Sequence, residues 1–319
     1  MRISSKNINM NILFVENQFG LRGTSVALYD YAHYNESILG NVSYVAAPAD
    51  SDMAAKQKFV DRFGDRVLLY EDFQSFSNTV ADLYSIDYAY IIKSGYVDGK
   101  TISGAKNLIH AVFVGTELHG NVYVAVSSWL GDKYGIGCLP HIVSLPTYVD
   151  ADFRSQLGIP EEAKVFGRYG GYNQFDIPYL SDAIQDAAEK GAYFLLMNTA
   201  PLRASHPNIL YLSPETDLNI KAAFINTCDA MIHGRTEGET FGLAVAEFLH
   251  QNKPVIANWE CRDRHHIELM GDYGMYYRNC DDLKSLLNGF EKRDYNVKHL
   301  VDQFKPEVIM NKFKKLIYG

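Results

Sequence analysis

Two glutamates flank the start of a predicted helix in the segment GETFGLAVAEFLHQNKPVIA, which runs from position 238 to 257. Glu239 precedes the helix, and Glu247 lies within a run of apolar residues, where an unpaired buried carboxylate would cost several kcal/mol. Between them, the free N–H groups of residues 241–243 suit an anion. Carboxylates accept hydrogen bonds from sugar hydroxyls and vicinal diols. The pattern therefore predicts a site for a sugar hydroxyl, a diphosphate and a ribose diol.

The same two residues also have a purely structural interpretation. Glu239 would then be an acidic residue that the helix dipole favours at the helix N-terminus. Glu247 would pair with an arginine such as Arg168 or Arg262. The helix by itself leaves both interpretations open.

Two further loops carry glycines beside an arginine. Residues 17–24, NQFGLRGT, follow a predicted strand and place Arg22 and Gly23 at the start of a helix, where an anion is favoured. This loop lacks the GxGxxG spacing of a dinucleotide site. The second loop, residues 167–171, GRYGG, places Arg168 at a strand end, where its planar guanidinium group can bind a diphosphate. An ordinary βα turn is the alternative for the first loop, where Arg22 favours a phosphate or substrate contact. For the second loop, an exposed arginine in a Gly-rich turn is the commoner case.

These loops require strands to position them. Near-continuous apolar runs are typical of parallel strands covered on both faces, and they occur at 10–17, 42–48, 66–70, 87–93, 107–114, 121–127, 164–168, 192–198, 208–212, 229–233, 253–257 and 274–277. Helical patterns alternate with them. The sequence thus predicts an α/β chain of two Rossmann-like, doubly wound parallel-sheet domains that face a cleft, with ligands at the carboxyl ends of the strands.

The predicted domains have the following bounds. Residues 1–148 form the first domain and residues 149–303 the second. Residues 304–319 form a final helix, beginning near Pro306, that packs back on the first domain.

Composition excludes several classes of protein. The 319 residues carry a net charge of -8, which argues against a nucleic-acid partner because phosphate binding needs clustered Lys and Arg. The four cysteines form no CxxC pair, so reduced thiols and no metal site are expected. No signal peptide or run of about 18 apolar residues is evident. We therefore expect a cytoplasmic protein without a transmembrane segment.

The segment ETFGLAVAE followed by NKPVIA resembles the signature of the large retaining glycosyltransferase family with the GT-B fold (family 4, glycosyl transferases group 1). That family has two Glu separated by seven residues, Phe-Gly after the first, and Pro-Val in the next strand. The segments LPTYVDADF, KVFGRYGG and AVSSWL resemble its inter-domain segment, its Gly-Arg loop and the start of a helix of its first domain. The resemblance covers nearly the whole chain.

The resemblance implies that residues 1–148 are the acceptor-side domain and residues 149–303 the nucleotide-sugar-binding domain. It also implies roles for individual residues. Glu239 would contact donor-sugar hydroxyls, Arg168 would neutralise the leaving phosphate, and Glu247 would hold the ribose. The other predicted donor contacts are Thr240, Phe241, Gly242, Leu243, Gly23, Arg22, Arg235, Asn198 and Ser213. The family often carries a catalytic His at a strand end of its first domain, and His110 is the candidate here.

Two departures from the family pattern bear on activity. Gln174 occupies the position of a usual Lys, which removes one cation from the phosphate site, and Arg235 is the candidate replacement. Lys93-Ser94-Gly95 lacks the usual His, leaving His110 and His119 one strand later. The cluster CRDRHH, from Cys261 to His266, has no second pair of metal ligands and is interpreted as a basic loop lining the cleft.

The resulting prediction is a retaining, metal-independent glycosyltransferase of the hexosyltransferase type that needs no cofactor. It would move a sugar from a UDP- or GDP-sugar to a hydroxyl of a glycan or small-molecule acceptor, in surface glycan synthesis. The alternatives are a nucleotide-sugar epimerase on the same scaffold, a non-catalytic sugar-nucleotide-binding protein, and a two-domain small-molecule binding protein.

Overall fold

The computed structural model describes residues 9–20, 22–146 and 151–319. These residues divide into two compact units. Unit 1 holds the described residues of Met1–Gly20, Thr24–Ile142 and Pro306–Gly319, and unit 2 holds those of Leu21–Gly23 and Val143–Lys305. The predicted boundary at 148/149 and the Val149-Asp150 pair of the expected inter-domain segment lie outside the described residues.

Unit 1 contains a six-stranded parallel sheet in the order β3-β2-β1-β4-β5-β6. The strands are β1 (Asn11–Glu16), β2 (Val42–Pro48), β3 (Val67–Tyr70), β4 (Tyr88–Lys93), β5 (Lys106–Ala111) and β6 (Val122–Ala125). Every residue of β4 is buried, as expected for a strand with helices on both faces.

Helices α1 (Gly23–Ser37), α2 (Met53–Phe63) and α3 (Phe73–Tyr84) connect strands of this sheet, and α4 (Ser128–Tyr134) follows β6. The predicted inner face of α1 is confirmed, because its apolar residues Ala27, Leu28, Tyr31 and Ala32 have no exposed surface. Aspartates begin α2 and α3, each accepting a hydrogen bond from a backbone N–H of the first turn.

Unit 2 repeats the arrangement with the strand order β14-β12-β10-β7-β8-β9. Its strands are β7 (Val165–Arg168), β8 (Tyr193–Met197), β9 (Ile209–Leu212), β10 (Ala230–His233), β12 (Val255–Asn258) and β14 (Met275–Tyr277). Two-residue strands β11 (Gly238–Glu239) and β13 (Asp263–Arg264) pair separately. The helices are α5 (Leu180–Glu189), α6 (Leu218–Thr227), α7 (Leu243–His250), α8 (His265–Met270) and α9 (Cys280–Gly289).

The last helix, α10 (Pro306–Tyr318), belongs to unit 1 although the chain reaches it from unit 2. Its Phe313 ring lies 5.6 Å from the Tyr31 ring and 5.9 Å from the Tyr90 ring. The predicted fold class, with two doubly wound parallel sheets and a final helix returning to the first domain, is confirmed. None of the helices in the described ranges is long and apolar enough to cross a membrane.

The strand order of unit 2 locates its ligand-binding edge. The chain builds β8 and β9 on one side of β7, and β10, β12 and β14 on the other. The order therefore reverses between β7 and β10, and ligands of such sheets bind beyond the carboxyl ends of the strands at that reversal. Arg168 ends β7 and His233 ends β10.

Candidate functional site

Helix α7 begins next to this reversal, at a glycine that no other residue replaces without strain. Gly242 has φ +82°, and a Cβ there would lie 3.1 Å from Cβ of Glu239 and 3.5 Å from Cβ of His266. It supplies no side-chain cap, so the first N–H groups of α7 have no partner within the helix. The helix N-terminus is therefore available to an anion.

A histidine and an arginine hold the Glu239 carboxylate beside the start of α7. The carboxylate lies 3.2 Å from Nε2 of His233 and 3.2 Å from Nη1 of Arg235. Burial raises the pKa of the Glu239 carboxyl, but His233 and Arg235 outweigh it and lower the pKa overall. The carboxylate is thus charged at neutral pH, and its side chain remains 22% exposed.

Three histidines lie near Glu239 and the start of α7, and the sequence pointed to two of them, His265 and His266, only as members of a predicted basic loop. The His233 ring lies 4.5 Å from the ring of His266, which has no exposed surface and no hydrogen-bond partner on either ring nitrogen among the described residues. Nδ1 of His265 lies 2.7 Å from the carbonyl oxygen of Phe241. Burial lowers the pKa of both His265 and His266. His265 and His266 are therefore neutral rings packed beside the start of α7.

Arg168 is a buried cation whose partners are all uncharged. Its guanidinium donates to the carbonyl of Asn198 at 3.0 Å, to Oγ1 of Thr199 at 2.6 Å and to the carbonyl of Gly171 at 2.7 Å. Burial lowers its pKa to about 10, so it stays charged at neutral pH. The side chain is 4% exposed, and no carboxylate pairs with it in the part of the chain that the structure describes.

Glu247 does have a charged partner, which is neither of the predicted arginines. Nζ of Lys221, on α6, lies 3.2 Å from Oε1 of Glu247, and the hydroxyl of Tyr169 donates to Oε2 in a short hydrogen bond. Burial of the Tyr169 hydroxyl, followed by the Glu247 charge, raises the pKa of Tyr169 well above its usual range. The prediction that a buried Glu247 needs a partner is confirmed, and the proposed pairing with Arg168 or Arg262 is wrong.

The other predicted donor contacts of unit 2 differ in exposure. Thr240 and Phe241 are buried, and the Phe241 ring stacks on His265 at 5.2 Å. Asn198 has φ +47°, and its amide donates to the carbonyl of Gly170, so it holds the loop around Arg168. Ser213 is exposed after β9.

Arg235 lies between Glu239 and Glu237, at 3.2 Å from each carboxylate. Its charge is therefore already balanced by two carboxylates, unlike that of Arg168. Arg22 is exposed, and Gly23 belongs to unit 2, where an added Cβ would lie 3.9 Å from the Leu243 side chain.

The structure gives no support to His110 as a catalytic residue. It lies in β5 with no exposed surface, in a short contact with the Tyr90 hydroxyl, and burial lowers its pKa to about 3. A neutral ring inside the core touches no substrate in this arrangement. His119 is nearer to the end of β4, since its Nε2 lies 3.0 Å from Nζ of Lys93.

The cluster from Cys261 to His266 is not the basic loop that its composition suggested. His265 and His266 are buried neutral rings of α8, and Arg262 pairs with Asp263 at 2.8 Å and with Glu237 at 3.4 Å. Over the described ranges, no group of three or more His, Cys, Asp or Glu residues is arranged to hold a metal ion.

No protein-family model and no curated protein matches the chain. Solved structures match it over nearly its whole length. HepE of Anabaena, in complex with UDP-glucose, has a TM-score of 0.76 at 15% identity, covering 97% of this chain and 100% of that one. A glycosyltransferase from Rickettsia africae has a TM-score of 0.67 at 14% identity, covering 97% and 98%. WaaG, a glycosyltransferase involved in lipopolysaccharide biosynthesis, has a TM-score of 0.65 at 11% identity, covering 97% and 100%.

The chain has the GT-B fold. At 15% identity or less, these similarities establish the fold alone, and the activity has to be argued from the site. In this GT-B unit 2, the ends of β7 and β10 bring together two charged groups that the sequence analysis singled out, Arg168 and Glu239.

The partners Tyr169, Lys221, His233 and His266 were missed. Two of them lay in segments that the sequence singled out, namely Tyr169, directly after Arg168 in the predicted loop, and His266, in the cluster that begins at Cys261.

Proposed function

We propose that this chain is a glycosyltransferase of the hexosyltransferase type, which moves a sugar from a UDP- or GDP-sugar to a hydroxyl of a glycan or small-molecule acceptor. The observation that carries the proposal is Arg168. Arg168 is 4% exposed as a residue, lies at the strand-order reversal of unit 2 and forms an ion pair with no carboxylate among the described residues. The charges of Glu239 and Asp176 act on Arg168 without forming an ion pair. A diphosphate in direct contact would relieve the remaining cost of burying this cation.

A diphosphate in this position would also meet the N-terminus of α7. The unpaired N–H groups of its first turn and the helix dipole both favour negative charge. Charge builds on the diphosphate as the sugar leaves, so groups that bind the diphosphate also stabilise the transition state. In a chain of net charge -8, such local positive charge is what allows an anionic donor to bind.

Glu239 then has the role of orienting the transferred sugar. His233 and Arg235 hold its carboxylate in place and charged, so that its free lone pairs can accept hydrogen bonds from sugar hydroxyls. We assign no enzyme nucleophile and propose transfer with retention of configuration. Because Arg168 supplies the positive charge for the leaving group, the proposal needs no metal ion.

The HepE structures with UDP-glucose, with UDP, and with UDP and glucose support a nucleotide-sugar donor on this fold. The involvement of WaaG in lipopolysaccharide biosynthesis supports a role in surface glycan synthesis.

A non-catalytic nucleotide-sugar-binding protein is the second candidate, and two observations favour it. Gln174 is exposed and bears no charge at the position where the resembling family has a lysine. His110, the candidate for the catalytic histidine, is a buried neutral ring of the core.

A thermal-shift screen of UDP-, GDP-, ADP- and CMP-sugars in the presence of EDTA tests the proposal. A ligand at 100 times its dissociation constant adds about 2.7 kcal/mol of stability, or roughly 5–11 °C for a unit of this size. For each sugar nucleotide that binds, NMR then follows release of the nucleoside diphosphate and the anomeric configuration of the product.

Turnover with retained configuration in EDTA supports the transferase. Binding without turnover over a panel of acceptors favours the non-catalytic candidate. The absence of any shift contradicts both.

A further inference from the structure

Three elements of unit 2 converge on the Glu247 carboxylate and close it off from water. Tyr169 comes from the end of β7, Lys221 from α6, and Glu247 itself from α7. Nζ of Lys221 lies 3.2 Å from Oε1 and 3.4 Å from Oε2, and the Tyr169 hydroxyl donates to Oε2. Nζ of Lys221 also lies 5.2 Å from the centre of the Tyr169 ring. Each of the three side chains therefore contacts the other two.

This arrangement leaves Glu247 little capacity to accept further hydrogen bonds. A carboxylate has about four acceptor positions, two on each oxygen. Lys221 occupies one on each oxygen, and the Tyr169 hydroxyl takes the second on Oε2. One position on Oε1 remains. A vicinal diol that donates one hydrogen bond to each carboxylate oxygen of Glu247 thus needs the position on Oε2 that the Tyr169 hydroxyl holds.

The two partners of Glu247 differ in how easily a ligand displaces them. Lys221 is 7% exposed, lies within α6 and forms the ion pair that neutralises the buried carboxylate. Tyr169 is partly exposed as a residue, and it gives Glu247 no charge, only the hydrogen bond from its hydroxyl. Tyr169 is therefore the partner that an incoming ligand displaces.

We propose that the Tyr169 hydroxyl occupies the ribose position on Glu247, and that a bound nucleotide displaces it with the ribose diol while Lys221 stays in place. Tyr169 is then a positioning residue that competes with the ligand, and Lys221 orients the carboxylate in both states. The inference rests on the proposed function, because it requires a ribonucleotide in unit 2.

The ring of Tyr169 packs against Phe248 at 5.7 Å and Phe224 at 5.8 Å, so Tyr169→Phe removes the hydroxyl and keeps the packing. Calorimetry on this variant and on wild type would use UDP, GDP and their 2′,3′-dideoxy analogues. We expect Tyr169→Phe to bind the ribonucleotide about tenfold more tightly, because no hydroxyl has to be displaced from a charged acceptor. Its affinity for the dideoxy analogue should not change.

Tyr172→Phe is the matched control, since Tyr172 lies in the same loop and is 53% exposed. It should leave both affinities as in wild type. If Tyr169→Phe leaves the ratio of ribo- to dideoxynucleotide affinity unchanged, or lowers it, the inference is overturned while the proposed function stands. If wild type binds neither UDP nor GDP, the proposed function fails and the inference fails with it.

A second measurement does not depend on the affinity of the variant. In wild type with ¹³C-labelled tyrosine, the Tyr169 resonance, assigned from its loss in Tyr169→Phe, should shift on addition of the ribonucleotide. The dideoxy analogue should leave it in place. Equal shifts with both nucleotides would overturn the displacement of the hydroxyl by the ribose.

Discussion

Replacing Lys221 by methionine should destabilise unit 2 strongly, although Lys221 is a charged residue. The side chains of Lys221 and Glu247 are only 8% and 4% exposed, and Lys221 is the cation that lies against this carboxylate. Methionine fills much of the space of the lysine stem, so the cost comes mainly from a buried carboxylate left without its counter-ion. Breaking a buried pair in this way costs about 3–5 kcal/mol, which lowers the melting temperature by roughly 6–20 °C.

An exposed ion pair of the same unit provides the control. Nζ of Lys190 lies 2.6 Å from Asp186, but the two side chains are 57% and 28% exposed. Lys190→Met should therefore cost less than about 1 kcal/mol. The double variant Lys221→Met/Glu247→Gln should recover part of the loss, because the unpaired charge is gone.

The assay must report on unit 2 alone, because two units need not unfold together. The chain has two tryptophans, Trp129 in unit 1 and Trp259 in unit 2. In a Trp129→Phe background, the fluorescence of Trp259 follows unit 2 during urea unfolding. If Lys221→Met lowers the free energy of unfolding of unit 2 no more than Lys190→Met does, the buried ion pair is refuted.

Three other predictions follow from glycine conformation, histidine burial and thiol burial. Gly242→Ala should lower the free energy of unfolding by about 1–2 kcal/mol, because φ is +82° and the added Cβ would lie 3.1 Å from Cβ of Glu239. Gly289→Ala, which has open space around its Cβ, should be neutral or stabilising in the same urea titration. Burial lowers the pKa of His110 from 6.5 to about 3, so the unfolded chain takes up the proton at a higher pH than the folded protein. The free energy of unfolding should therefore fall by up to about 1.4 kcal/mol per pH unit as the pH drops from 6.5 towards 3. His110→Gln should flatten that slope of the free energy of unfolding against pH, and an unchanged slope would contradict the assignment. Cys228 has no exposed surface, and burial raises the pKa of its thiol. Iodoacetamide should therefore label it in urea but not in the native protein, as measured by mass spectrometry. Labelling of Cys228 in the native protein would argue against its burial.

The strands and inner helix faces were predictable because their signals are local. A strand such as β4, YAYIIK, is apolar throughout because both of its faces are covered, and α1 repeats its apolar residues at helical spacing. The start of α7 was predictable for the same reason, since Gly242 and the two glutamates lie within nine consecutive residues, from 239 to 247.

The partners of the glutamates were not predictable, because they depend on how distant elements pack. Lys221 lies 26 residues from Glu247 and Tyr169 lies 78 residues from it. No local pattern distinguishes a lysine that points inward from α6 from one that points to solvent. The histidines show the same limit: His110, in an apolar strand, and His265 and His266, in a polar segment, are all buried. Burial is the largest cause of the lowered pKa of each of these three rings.

The central claim is that Arg168 binds the diphosphate of a nucleotide, and calorimetry with UDP, GDP, uridine and guanosine tests it most directly. Wild type should bind one diphosphate more tightly than its nucleoside, and Arg168→Met should lose about 2 kcal/mol, or about 30-fold, of affinity for that diphosphate. Its affinity for the nucleoside should not change, and Arg203→Met, a control at a side chain 78% exposed in the same unit, should behave as wild type. If Arg168→Met binds the diphosphate as wild type does, or weakens diphosphate and nucleoside equally, the assignment of the donor site is contradicted.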